Sequence, residues 1–217
     1  MSATARQKVL DYAASAPSPT RRELGRHRFV AGAAAALWTG TVLLVFHGVR
    51  IAPRPDWLFA ATALGSALLA GVAVWLVAHR GEHMLGRSLA TLVAIVGVVP
   101  LALFAWKVGV TACAQGMLEP FEGRTGVRCF FVSLLSGLGP FAALLWARHG
   151  SVLEHAQLYG VATGVAVGAI GWTVNELRCQ VGYVPHVLLG HVLPIVVFSL
   201  IGFLAARWLA PRWISPS

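Results

Sequence analysis

The sequence predicts an all-α, polytopic membrane protein: a bundle of six transmembrane helices with both termini in the cytoplasm. Three observations predict it. Of the 217 residues, 57% are hydrophobic and only 12% charged, against roughly a quarter charged in an ordinary soluble domain. The apolar residues gather into six runs, each about as long as the ~20 residues a helix needs to cross a hydrocarbon core of about 30 Å. The Lys and Arg residues cluster at the ends of those runs and favour one side.

Residues 1–28 are polar and form the first element. Thr4 with Gln7, and Thr20 with Glu23, each fit the capping box in which a Thr hydroxyl and an acidic or amide side chain cap the first turn reciprocally. They predict a helix from about Ala5 to Ala14, a break across Ser15–Pro19, and a second helix that continues into the membrane. Val9, Leu10, Tyr12 and Ala13 give the first of these an apolar side. A helix so short is unstable alone in water, so it must dock on the membrane, on its own bundle or on a partner. The first apolar run is too long for a cleaved signal sequence, and the reading takes it as a retained anchor.

The six spans run Phe29–Val49, Trp57–Ala78, Leu89–Trp106, Cys129–Ala147, Ala156–Val174 and Val184–Ala206, and none contains Lys, Arg, Asp or Glu. Each must close its own backbone hydrogen bonds, because lipid offers no partner. The transmembrane domain is taken as residues 29–208, with 209–217 a cytoplasmic tail. Orientation follows from the positive-inside rule. With the N-terminus inside, 11 Lys and Arg side chains lie on the cytoplasmic side and 6 on the other, much of the excess preceding the first span. The net charge of +9 is thus a signature of lipid headgroups and topology, and no direct nucleic-acid partner is expected.

Gly160, Gly164, Gly168 and Gly171 recur every three or four residues along the fifth span, the spacing that lets helix backbones approach closely. Pro100, Pro140 and Pro194 should kink their spans or sit where a neighbour satisfies the carbonyl they free. Lys107, Glu176 and Arg178 fall at span ends, where snorkelling or ion pairing is expected.

The three cysteines, Cys113, Cys129 and Cys179, all fall on the outer side in this topology, which in a bacterial cell is the oxidising periplasm. Any two of the three could pair; a redox or structural role is expected, and no Cys-x-x-Cys is present. His186 and His191 lie close to Cys179 in topology. The spacing of these Cys and His residues matches no established ligand pattern. The reading is therefore interfacial hydrogen bonding, with no metal and no cofactor. No P-loop, Gly-x-Ser-x-Gly, His-Glu-x-x-His or dinucleotide fingerprint occurs, so no enzymatic activity is expected.

The run Arg128-Cys129-Phe-Phe-Val-Ser133-Leu-Leu-Ser136-Gly-Leu-Gly-Pro140, then the Gly-rich span, Glu176-Leu-Arg-Cys179, and Gly190-His191-Val-Leu-Pro194, resembles the NrsF family of bacterial membrane anti-sigma factors. A lesser resemblance is to CarR, the light-regulatory membrane anti-sigma factor of carotenoid-producing myxobacteria. The NrsF resemblance implies a paired function for Cys129 and Cys179 outside the membrane. It also implies a sigma-binding cytoplasmic segment over residues 1–28, with Val9, Leu10, Tyr12, Arg21, Arg22 and Glu23 as contact candidates. Cys113 is an additional cysteine, and the opening is shorter and less leucine-rich than in typical members. The partner implied is an extracytoplasmic-function sigma factor, held at a bacterial inner membrane until an envelope, redox or light-linked signal releases it. The competing reading, a small multipass transporter or channel subunit, would require a polar midplane site built from broken helices.

Overall fold

The computed structural model describes residues 7, 21–46, 55–79, 88–114, 118, 126–147, 155–179 and 181–213. Among the described residues all regular structure is helical. Six helices are long and apolar enough to cross a membrane: α1 (Arg21–Val45), α2 (Asp56–Ala78), α3 (Leu89–Ala112), α4 (Val127–Ala147), α5 (Ala156–Glu176) and α6. The last begins as Val184–Val187, passes through a π-helical turn, Leu188–Val192, and continues as Leu193–Trp213.

Several span ends differ from the sequence expectation; α6, for one, continues past Ala206 to Trp213. α3 continues past Trp106 to Ala112, and α5 past Val174 to Glu176. Hydropathy ends a span at the first charged group, but Lys107 and Glu176 stay helical because they satisfy each other inside the protein. α1 begins at Arg21, ahead of its apolar run and where the Thr20–Glu23 signal indicates a helix start. Ser88 caps α3, its hydroxyl accepting a hydrogen bond from the Thr91 amide at 3.3 Å.

α5 is the centre of the bundle. Buried residues make up 72% of its most apolar stretch, against 12% for α1, and it packs on α2, α3, α4 and α6, while α1 packs on α4. Its glycines explain the position. A Cβ on Gly160 would strike the Gly202 carbonyl of α6, and one on Gly164 the Phe198 carbonyl. A Cβ on Gly168 would stand 2.7 Å from the Ile195 Cα. Gly171 turns instead to α4, where its Cβ would be 2.7 Å from the Ser133 carbonyl. The small-residue row therefore serves two neighbours rather than one, because a period of three to four drifts around the helix. On the other side of α5, Leu92, Ile95 and Leu103 of α3 and Ala73 and Val77 of α2 close around Ala162, Val165, Ala169 and Trp172. The Tyr159 hydroxyl donates to the Val77 carbonyl at 2.9 Å.

Two tryptophans fasten the outer helices by one device. The Trp106 indole lies over Gly65 and donates to the Ala61 carbonyl at 3.1 Å. The Trp38 indole lies over Gly139 and donates to the Leu135 carbonyl at 2.7 Å. In each case the missing side chain admits the ring to a carbonyl one turn earlier. Pro140 cannot donate to Ser136, whose carbonyl instead receives the Thr39 hydroxyl at 3.4 Å. The surface left over is apolar: Phe29, Leu64, Leu68, Leu101, Leu200 and Trp208 are exposed, which suits hydrocarbon and not water.

Gly160→Ala is expected to lower stability by ~1–3 kcal/mol, since the new methyl meets backbone that cannot move aside. Gly32→Ala, facing open space, should leave stability unchanged or slightly raised. Thermal unfolding of the two purified variants in detergent compares them directly.

Candidate functional site

The ends of α3 and α5, the start of α4 and the start of α6 meet at one end of the bundle, and the chemistry of the protein is concentrated there. The start of α4 depends on Gly126, whose φ of +85° is open to glycine at no steric cost. Its carbonyl accepts the Phe130 amide at 2.9 Å, starting the helix. A Cβ on Gly126 would stand 3.0 Å from the His186 carbonyl. One turn on, Cys129 comes against α6 at Gly190, where a Cβ would be 2.9 Å from the Cys129 Cβ.

α6 is shaped by Pro194, which has no amide hydrogen to give the Gly190 carbonyl. The helix widens, and the Leu193 amide reaches the Leu188 carbonyl five residues back. Residues five apart on an ordinary α-helix are rotated by about 140°. The wider turn brings His186 and His191 to one side, their ring centroids 5.9 Å apart. The Gly190 carbonyl receives the Asn175 amide of α5 at 3.4 Å.

Asn175, almost fully buried, also donates to the Cys129 carbonyl at 2.9 Å and to the Ser133 hydroxyl at 2.6 Å. Its carbonyl accepts the Cys179 amide at 2.6 Å, so the chain leaving α5 curls back and delivers Cys179 to the same place. The Arg178 guanidinium beside it lies over the Phe46 ring at 5.9 Å.

The result is a buried group of four donors. One atom each of Cys129, Cys179, His186 and His191 lies within 4.8 Å of all the others. Cys179, His186 and His191 are buried, Cys129 half-buried, and both cysteines are thiols. The Cys179 sulfur is 3.1 Å from His186 Nε2. Hydrogen bonds from Cys129 first, then from His186, hold the Cys179 thiol below its ordinary pKa against the opposing effect of burial.

Behind the donors lies an ion pair. Lys107 Nζ and Glu176 Oε2 are 2.7 Å apart with both side chains 1% exposed. Of the two expectations for Lys107, snorkelling or ion pairing, the ion pair is what forms: its ammonium is drawn inward to a carboxylate. Glu176 Oε1 stands 3.8 Å from His191 Nδ1. The Trp172 ring meets His191 edge-on at 5.1 Å.

Of the residues singled out from sequence, Cys129 and Cys179 are brought together. Cys113 stays exposed at the end of α3 with its sulfur directed to the Gly109 carbonyl at 3.5 Å, outside the group. Val9, Leu10 and Tyr12 lie outside the described residues. Arg21, Arg22 and Glu23 open α1, with side chains outside what is described. His186 and His191 were expected as interfacial hydrogen-bonding groups, and the structure shows a larger arrangement that includes them. The available signal was Pro194, which breaks the α-helical register that makes a five-residue spacing look unsuited to a shared site.

Asn175→Ala strips one donor set from three helices. Loss of ~1–3 kcal/mol is expected from the unsatisfied buried carbonyls, read as a lower unfolding temperature in detergent, together with faster alkylation of Cys179 by a thiol reagent as the site loosens.

Comparison with known proteins agrees with the resemblance drawn from the sequence. The family model described as NrsF, negative regulator of sigma F, matches residues 12–213. Neither a curated protein nor a solved structure matches. With nearly the whole chain covered by that one family model, from before α1 to the end of α6, the protein belongs to the NrsF family, negative regulators of a sigma factor.

Proposed function

We propose that the protein is an anti-sigma factor of the bacterial inner membrane whose release signal is a thiophilic metal ion bound at Cys129, Cys179, His186 and His191. Residues 1–28, on the cytoplasmic side, hold an extracytoplasmic-function sigma factor; residues 29–208 span the bilayer; residues 209–217 return to the cytoplasm. The four-donor group lies on the periplasmic side. The excess of Lys and Arg before α1 supports that orientation.

The observation that carries the signal is the donor set. Two thiols and two imidazoles suit Zn(II) or Cu(I), and disfavour hard cations that seek oxygen. In a tetrahedron with metal–sulfur distances of about 2.3 Å and metal–nitrogen distances of about 2.0 Å, neighbouring donors stand roughly 3.3–3.8 Å apart. The present spread of up to 4.8 Å closes to that with side-chain movements of about an ångström. The donors belong to α4, α6 and the segment that follows α5, so an ion drawing them together repositions the helices. At the far end an apolar cavity of about 190 Å³ between α1, α2, α4 and α5, lined by Ala31, Ala35, Ala78 and Ala147, leaves α1 room to shift. The N-terminal segment continues directly into α1. A full switch of sigma occupancy, from 1:99 to 99:1, needs the two states to differ by about 5.5 kcal/mol in sigma affinity.

A second reading uses the same two sulfurs. Their proximity permits a Cys129–Cys179 disulfide, formed with loss of two protons and two electrons to an oxidant such as a quinone or hypochlorous acid. The histidines separate the two signals.

Full-length protein in membranes is expected to capture an extracytoplasmic-function sigma factor, and removal of residues 1–28 to abolish capture while insertion persists. Retained capture would refute the assignment of that segment. In cells, His186→Ala should cut induction of the sigma regulon by added metal at least tenfold while leaving repression intact. An oxidant response that survives in His186→Ala and fails in Cys129→Ser, with no metal response in the parent, would favour the disulfide reading.

A further inference from the structure

His191 has an unusual surrounding for a histidine. Its ring is fully buried and, among the described residues, neither nitrogen has a partner within hydrogen-bond geometry. An open buried polar atom costs ~1–3 kcal/mol, so two on one ring mark a residue arranged for something that the closed fold does not itself supply. Three further donors stand around it. Its position is over-determined: the Pro194-driven turn sets the backbone, and the Trp172 edge sets the ring plane.

We infer that Glu176, held in place by Lys107, is the positioning residue for His191. Its carboxylate accepts a hydrogen bond from Nδ1–H and so leaves the Nε2 lone pair of the neutral ring for the metal ion shared with Cys129, Cys179 and His186. The inference rests on the metal reading above and identifies the residues outside the donor set that tune it.

The geometry supports each part. Glu176 Oε1 is 3.8 Å from His191 Nδ1, roughly half an ångström or more beyond a normal hydrogen bond, so a small rotation of either side chain closes this contact. The other oxygen, Oε2, is engaged by Lys107 at 2.7 Å. That contact fixes the carboxylate's direction and pairs it with the ammonium in a buried place. It also accounts for Glu176 standing outside the donor group: it faces the second ring nitrogen and not the ion. Histidines that ligate metals generally donate their other ring N–H to a carboxylate, a carbonyl or water, and losing that partner typically weakens metal binding 10–100-fold. Lys107 comes from α3 and Glu176 from α5, so the same contact brings α3, which contributes no donor, under the influence of the site.

A purely structural ion pair would also be buried, so the test separates fold from metal. The full-length protein in detergent, reduced and free of metal, is titrated with Co(II), reading the thiolate-to-cobalt charge-transfer and ligand-field absorption. The parent is expected to bind one ion with a tetrahedral spectrum. Lys107→Met with Glu176→Met removes both charges together and keeps volume, the change that buried pairs tolerate best. It should bind Co(II) 10–100-fold more weakly and with an altered ligand-field band. Lys107→Met with Glu176→Gln restores a neutral acceptor for Nδ1 and should recover part of the loss. Unchanged affinity and spectrum in the folded Met–Met variant would overturn the inference. So would a loss confined to unfolding temperature, with the folded fraction binding as the parent does. If the parent binds no Co(II), the metal reading falls and this inference with it, whereas a binding parent with an indifferent Met–Met variant sinks this inference alone.

Discussion

At the end of the bundle where two thiols and two imidazoles gather, the helices are joined through one amide. Asn175 sits at the last turn of the central helix and its side chain reaches α4 and α6 at once, through the Cys129 and Gly190 carbonyls. In a low-dielectric setting such groups find no water to replace a lost partner, and each open one is expensive. The amide therefore acts as a fixed joint. The backbone carbonyl of the same residue takes the Cys179 amide, so the chain turns back toward the joint as it leaves α5. Remove it and three helices lose their common reference.

Around that joint the protein uses small residues where backbones must touch and polar residues where backbones have been broken. The glycines of α5 let α6 and α4 approach to backbone contact. Prolines free carbonyls, and two of those carbonyls are met by a side chain of another helix: Thr39 at Ser136, Asn175 at Gly190. A kink thus becomes a link. Such links have few alternative partners, which is how movement at one end of a packed bundle becomes movement elsewhere instead of dissipating locally.

The fold was legible in the sequence to the extent that hydrophobicity determines it. Six apolar runs gave six helices, and the crowded glycines of the fifth marked the helix with the closest neighbours. What pattern reasoning missed was polar. An ion pair was among the expectations for Lys107 and Glu176, but which helices it joins is a tertiary fact; hydropathy sees only two charges and ends two spans early. His186 and His191 stand five apart, which on an α-helix places them on different sides. Only the π turn forced by Pro194 unites them with Cys129 and Cys179, and no spacing rule anticipates a site assembled from three separate stretches. Cys129 and Cys179, by contrast, were reached through family resemblance, while composition alone left any pair of the three cysteines open.

The central claim is that filling the donor group weakens the hold on sigma. Linkage tests it most directly: the affinity of purified full-length protein for its sigma factor is measured with and without one equivalent of Zn(II), and the Zn(II) affinity with and without sigma. Each ligand is expected to weaken the other by the same factor, a hundredfold or more. Stoichiometric Zn(II) binding that leaves sigma affinity unchanged would contradict it.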